Sequence, residues 1–181
     1  MNGLQTHQDL CRQFAVLLSY PAINLRKATA DCLELLQASR PDAADQLHPF
    51  CAFLAASDQA RIEEVFTGTF DLQPLCHPYV GYQLCGESQQ RTLFLMKLQE
   101  LYRQHDYRCG SELPDHLGEM LRFIGITDDQ ICRRELIADG LLPALEKLIA
   151  GIDNADHPYR SLLGALYSFL SPTGADKGAL S

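Results

Sequence analysis

The chain is 181 residues long, 46% hydrophobic and 21% charged, a composition that suits one globular core and contains no run near the roughly 18 uninterrupted apolar residues of a membrane span. Its net charge of −8 argues against nucleic-acid or anionic-membrane binding, since either needs a positive surface to displace counterions. The seven cysteines are odd in number and lack paired short spacing, so they read as small buried hydrophobes, not as a disulfide framework.

The first residues, Met1-Asn2-Gly3-Leu4-Gln5-Thr6, lack a basic stretch followed by an apolar core, which predicts no secretory leader and a cytoplasmic protein. Thr6 and Asp9 resemble a capping box ahead of Leu10, Phe14, Leu17 and Leu18, a helical stripe that Tyr20-Pro21 ends. A second helix is marked by Leu25, Ala28, Cys32, Leu35 and Leu36. A third carries Leu47, Phe50, Cys51 and Leu54, with Pro49 as a kink or a late start, and a fourth carries Ile62, Val65, Phe66 and Phe70. Asp71 to Gly86 has no helical period and reads as a functional loop.

A long helix follows, with Phe94, Leu95, Leu98, Leu101 and Tyr102 on one face. In Glu112-Leu113-Pro114-Asp115-His116-Leu117, Pro114 suits a first helical position. Asp115 then falls in the first turn, where the helix dipole favours an anion. The apolar positions 117, 120, 121 and 124 form one face, and Gly125 reads as a left-handed C-cap. Thr127 and Gln130 suggest another capping box, opening a helix that Gly140 and Pro143 kink or split. Pro158 starts a last helix through Leu162, Leu163, Leu166 and Phe169. No segment alternates in a strand period. The expectation is therefore an all-α, monomeric bundle of about seven to nine helices over residues 1–170, followed by a loose tail at 171–181.

Chemistry-bearing motifs are sparse. Phosphate-loop, dinucleotide and nucleophile-elbow patterns are absent, and Cys76-His77 with Cys85 matches no zinc spacing. Asp115 and His116 are adjacent on a helix and diverge by about 100°, which disfavours a joint acid–base role. Two readings of the pair stand: a dipole-favoured Asp with a hydrogen-bonded His, or a recognition site for a peptide. Glu87 and Arg91, four apart, read as a surface ion pair. Tyr79 and Tyr82 either seal the loop onto the core or line an amphipathic groove.

Glu112-Leu113-Pro114-Asp115-His116-Leu117 with Leu121-x-Phe123-Ile124 resembles the signature of the nitrate reductase delta-subunit family, the NarJ/TorD/DmsD-type chaperones that mature molybdenum oxidoreductases. Thr69-Phe70-Asp71, Pro78-Tyr79-Val80-Gly81-Tyr82, Gly86-Glu87-Ser88 and Arg91 follow the same family's order and spacing. Gly81-Tyr82-Gln83-Leu84-Cys85 is closer to the NarJ-like branch, although Cys85 departs from its usual His-containing form and leaves the client enzyme open.

The resemblance implies a cytoplasmic chaperone without catalytic residues, metal or cofactor. Its partner would be the molybdopterin-binding catalytic subunit of a DMSO-reductase-family enzyme, met through an N-terminal peptide with or without a twin-arginine leader. Such an enzyme would serve nitrate assimilation or anaerobic respiration. The residues it implies for peptide binding are Tyr79, Tyr82, Glu87, Arg91, Pro114, Asp115 and His116, with Glu87 and Asp115 orienting a cationic end at the groove rim. A small helical metal-dependent enzyme or sensor using His77, His116 and the thiols is the competing reading.

Overall fold

The structure, a computed structural model, describes residues 3–22, 24–72 and 76–172. These residues are all-α, with no strand and one isolated antiparallel bridge. Helix α1 spans Gly3–Leu17 and buries Leu10, Cys11, Phe14, Ala15 and Leu17. It begins before Thr6, so the expected capping box is not its start. Asp9 lies inside the helix and accepts from Gln5 at 3.2 Å and Arg12 at 3.3 Å, both one turn away.

Helix α2 (Leu25–Ser39) leads directly into α3 (Pro41–Ala56), which opens on Pro41 and runs through Pro49. Pro49 is therefore neither the start nor the end of that helix. Both Pro49 and Asp45, whose carbonyl loses its usual partner, are exposed, so the gap in the hydrogen-bond ladder falls on the solvent side of the helix. Helix α4 (Gln59–Phe70) is capped by Asp58, which accepts from the Arg61 N–H at 2.8 Å.

The expected loop contains a short helix, α5 (Val80–Cys85), ended by Gly86 at φ 63°. That left-handed turn is one that glycine enters without strain. Helix α6 (Gln89–Gln104) starts from a Ser88 cap. Helix α7 (Leu117–Ile126) is entered from a His116 cap, so Pro114 and Asp115 precede the helix instead of forming its first turn. Gly125 is not a C-cap either. It lies inside α7, where an added Cβ would stand 3.0 Å from Cys11 Cβ, and α7 packs along α1 at that close approach.

Asp129, not Thr127, caps α8 (Gln130–Glu135), accepting from the N–H groups of Ile131 and Cys132 at 3.0 Å each. The helix does not break at Gly140. It widens into a π turn, Leu136–Leu141, in which the Leu142 N–H reaches Ile137, and continues as α9 (Leu142–Gly151) with Pro143 in its first turn. Counting that rod once gives nine helices among the described residues. As predicted, the last helix, α10 (Pro158–Leu170), opens on Pro158, behind a His157 cap.

The buried apolar residues form one cluster drawn from nearly every helix. Two long-range pairings close it, α1 on α7 and α3 on α10. Arg40, just ahead of α3, donates to the carbonyls of Ser168, Phe169 and Ser171, so it caps the end of α10 with a cation. Cys11, Cys32 and Cys76 are buried as expected, Cys51, Cys109 and Cys132 are partly so, and Cys85 is exposed. No helix among the described residues is long and apolar enough to cross a membrane. Of the proposed tail only Ser171 and Pro172 fall within the described residues.

Candidate functional site

The segment before α5 and the segment before α7 meet as the one antiparallel bridge, Tyr79 opposite His116. The Val80 N–H donates to the Asp115 carbonyl at 2.7 Å and the Leu117 N–H to the Pro78 carbonyl at 2.8 Å. Tyr79 and His116 are thus the pair lying between the two bonds, the arrangement that brings facing side chains closest. Their rings meet edge to face with centroids 5.4 Å apart. The two stretches singled out in the sequence are, in space, one structure.

Behind the bridge, Arg91 reaches from the first turn of α6 into the protein. Its Nε donates to Asp115 Oδ2 at 3.0 Å and its Nη2 to Oδ1 at 3.5 Å, while the guanidinium lies 5.5 Å from the Tyr79 ring centroid and 5.7 Å from that of Tyr82. The Asp115 side chain is 0% exposed and that of Arg91 15%. A buried carboxylate needs such a partner, and a guanidinium between two aromatic faces gains cation–π attraction in the same place. The expected surface pair of Glu87 with Arg91 is therefore not formed. Arg91 turns inward and Glu87 stays exposed outside this cluster. Pro114 is buried, and its carbonyl accepts from the Tyr102 hydroxyl at 2.9 Å.

In front of the bridge lies a groove of about 930 Å³, bounded by the ends of α1 and α4, the 77–79 and 107–112 segments and the first turn of α7. His116 and Glu119 line it. Tyr79 stands at its side and donates through its hydroxyl to Glu112 at 3.0 Å. Burial and the neighbouring Glu112 push the Tyr79 phenol up to about 12. Asp71 and Glu112 are exposed where they line the groove, so the rim carries carboxylates, but not the two expected.

Glu119 was not singled out in the sequence. It is 3% exposed and accepts from the Tyr107 hydroxyl at 2.7 Å, the Gly110 N–H at 3.3 Å and Arg122 at 2.8 Å. It therefore holds the 107–112 wall of the groove against α7. Its one sequence signal was its place three residues after His116, the third helical position, where a glutamate is favoured. Instead of closing on its own cap it reaches across to the wall. Burial and Glu119 raise the Tyr107 pKa.

Cys76, His77 and Cys85 do not converge. Cys76 is buried, Cys85 exposed, and His77 is turned to the Phe70 carbonyl through Nδ1 at 3.0 Å. Among the described residues no group of three or more His, Cys, Asp or Glu side chains is placed to hold a metal ion.

These features define an all-helical protein with a preformed, polar-rimmed groove built where two loops cross. The chain belongs to the nitrate reductase delta subunit family, whose model matches residues 35–163. It is 30% identical over 161 residues to a Bacillus subtilis protein named as a nitrate reductase molybdenum cofactor assembly chaperone, NarJ, covering 87% of this chain and 86% of that one. It is also 29% identical over 154 residues to the nitrate reductase-like protein NarX of Mycobacterium tuberculosis, matching 84% of this chain but 23% of that longer protein. Among solved structures, a redox enzyme maturation protein from Archaeoglobus fulgidus has the same fold, with a TM-score of 0.61 at 18% identity over 90% of this chain and 93% of that one.

Proposed function

We propose that this protein is a non-enzymatic assembly chaperone for the molybdenum-cofactor-bearing catalytic subunit of an oxidoreductase, and that it acts in the cytoplasm by holding an N-terminal segment of that subunit in the groove. The observation that carries the reading is the Tyr79–His116 bridge, because the two segments that bear the family resemblance build one wall of the groove through it. Membership of the family and the name of the Bacillus relative support the choice of client class.

The groove offers aromatic faces at Tyr79 and Tyr107 and carboxylates at Asp71 and Glu112. That combination suits an amphipathic segment with a basic flank, whether or not it includes a twin-arginine leader. Asp115 and Arg91 serve this site from behind, by holding Tyr79 and Tyr82 in place. Glu87, on the exposed start of α6, is available to a longer segment that runs past the groove.

The test is calorimetric titration of the purified chain with a synthetic peptide covering the N-terminal segment of a molybdoenzyme catalytic subunit from the same organism. One peptide per chain is expected to bind, and Tyr79→Ala is expected to weaken it by about 1–3 kcal/mol, the usual cost of truncating an aromatic at an interface. A wild-type chain that does not bind the peptide would sink the proposal.

A further inference from the structure

Two walls of the groove are tied to each other across its floor. The 107–112 wall leaves α6 through a left-handed turn at Asp106, φ 53°, and is fixed again at Pro114, whose carbonyl accepts from Tyr102. Among the described residues, no main-chain group from Arg108 to Glu112 is hydrogen-bonded to main chain elsewhere. Arg108, Gly110, Ser111 and Glu112 are exposed. The bonds from this wall to the floor converge on Glu119, whose Oε2 accepts from the Tyr107 hydroxyl at 2.7 Å and from the Gly110 N–H at 3.3 Å.

The other carboxylate oxygen, Oε1, accepts from Arg122 Nη1 at 2.8 Å. Arg122 Nη2 donates to Ser19 Oγ at 3.3 Å, and that hydroxyl donates to the Ala15 carbonyl of α1 at 2.7 Å. Leu18, Ser19 and Tyr20 line the groove on the α1 side. A continuous line of hydrogen bonds therefore runs from the 107–112 wall, through two residues of α7, to the end of α1. The Glu119 side chain is 4% exposed and its oxygens are occupied by these donors, whereas Arg122 is 37% exposed and reaches water. A segment without main-chain bonds keeps its place only through such side-chain ties, and its local opening is correspondingly easy.

We propose that Glu119 is a positioning residue for client binding: held by Tyr107 and Gly110 on one side and by Arg122 on the other, it fixes the width of the groove, so that the client meets a wall already in place. The proposal rests on the reading of the groove as the client-binding site. Glu119 acts without touching the client, by raising the fraction of chains whose groove has the binding shape. A lost contact shows in faster release. A lost starting shape shows in slower association, because apparent affinity falls with the competent fraction.

Glu119→Ala is compared with wild type in two measurements, stopped-flow association and release of the same synthetic N-terminal peptide carrying a fluorophore, and hydrogen exchange of the Tyr107 amide without peptide. That amide is bonded to the Tyr102 carbonyl and not to Glu119, so its exchange reports movement of the wall. Arg122 can turn to water, so the variant strands no buried charge. Arg122→Gln, which cuts the same line at its exposed member, is measured alongside and is expected to act in the same sense. In Glu119→Ala the Tyr107 amide should exchange about tenfold faster and association should slow by about tenfold, with release within about threefold of wild type. Tyr107→Phe, which removes one of the two ties to Oε2 and keeps the ring, should slow association by itself and add nothing to Glu119→Ala.

Faster release with unchanged association would make Glu119 a contact residue and overturn the proposal. Wild-type exchange and association in both Glu119→Ala and Arg122→Gln would overturn it as well, as would additive effects of Glu119→Ala and Tyr107→Phe, and in each of these cases the binding function stands. A wild-type chain that binds no peptide would overturn the client-binding reading and this proposal with it.

Discussion

Arg91 and Asp115 form a hydrogen-bonded ion pair between α6 and the approach to α7, with the carboxylate fully enclosed. Removing one partner of such a pair strands the other, at a cost of about 3–5 kcal/mol. A helix-start aspartate acting on the dipole alone would be worth about 0.3–1 kcal/mol. Asp115→Ala is therefore expected to lower the melting temperature by roughly 6–20 °C, at about 2–4 °C per kcal/mol for a chain this size. A drop of only a degree or two in a thermal melt would show that the pair contributes little.

Gly81 sits where no side chain fits. A Cβ there would stand 2.8 Å from both Asp115 Oδ2 and Phe94 Cδ1, and 3.2 Å from Arg91 Cγ. Gly81→Ala gains up to about 1 kcal/mol of helix propensity in α5 but incurs about 1–3 kcal/mol of overpacking, so a net loss is expected. Because the displaced groups are Arg91 and Asp115, the peptide affinity should fall along with the stability. Stability and affinity both at wild-type level would mean that α5 can shift freely away from α6.

Among the described residues the Tyr159 hydroxyl is buried without a partner, in a cluster with Phe50, Phe66 and Phe70 whose ring centroids lie 5.0–5.8 Å from its own. Stripping that oxygen of water costs about 1–3 kcal/mol with no compensating bond. Tyr159→Phe should leave chemical denaturation midpoints unchanged or raise them. A clear drop would reveal a partner for the hydroxyl.

Acid should loosen the fold between pH 6.5 and 4. His7 is lowered from 6.5 to about 4 by burial and by Arg133, and burial also lowers His116 and His157. A folded-state pKa below the unfolded value means that the unfolded chain binds protons first. The stability these neutral rings provide is therefore complete above pH 6.5 and is lost as pH falls toward the folded value. Melting temperatures at pH 7.5 and pH 5 should differ by several degrees, the lower belonging to pH 5, and His7→Gln should narrow the gap. Equal melting at the two pH values would contradict the assignment.

The helices that carry a broad apolar stripe were legible from the sequence, because periodic burial is a local signal. Leu10, Phe14 and Leu17, like Leu162, Leu166 and Phe169, are buried where the 3.6-residue period puts them. Helix α5 was not legible, being too short to show a period. Gly125 was misread for a physical reason. A glycine after an apolar run signals a C-cap, and only the tertiary contact with Cys11 shows that close packing required it. Likewise the spacing of Glu87 and Arg91 suggested a partner one turn away, whereas the true partner of Arg91 lies 24 positions along the chain. Sequence spacing ranks neighbours within a helix and is silent on those between helices. That is why Tyr79, Arg91, Asp115 and His116 could be named as candidates while the buried roles of Arg91 and Asp115 could not.

The pairings of α1 with α7 and of α3 with α10 also order events in time. As the chain leaves the ribosome, the apolar faces of α1 and α3 emerge well before the helices that cover them, and Arg40 waits for carbonyls 128 to 131 residues further on. Contacts of such long range form late. The groove, whose floor belongs to α7, cannot exist before that helix has emerged, so under the proposed function a chain cut short ahead of α7 would have no site for a client.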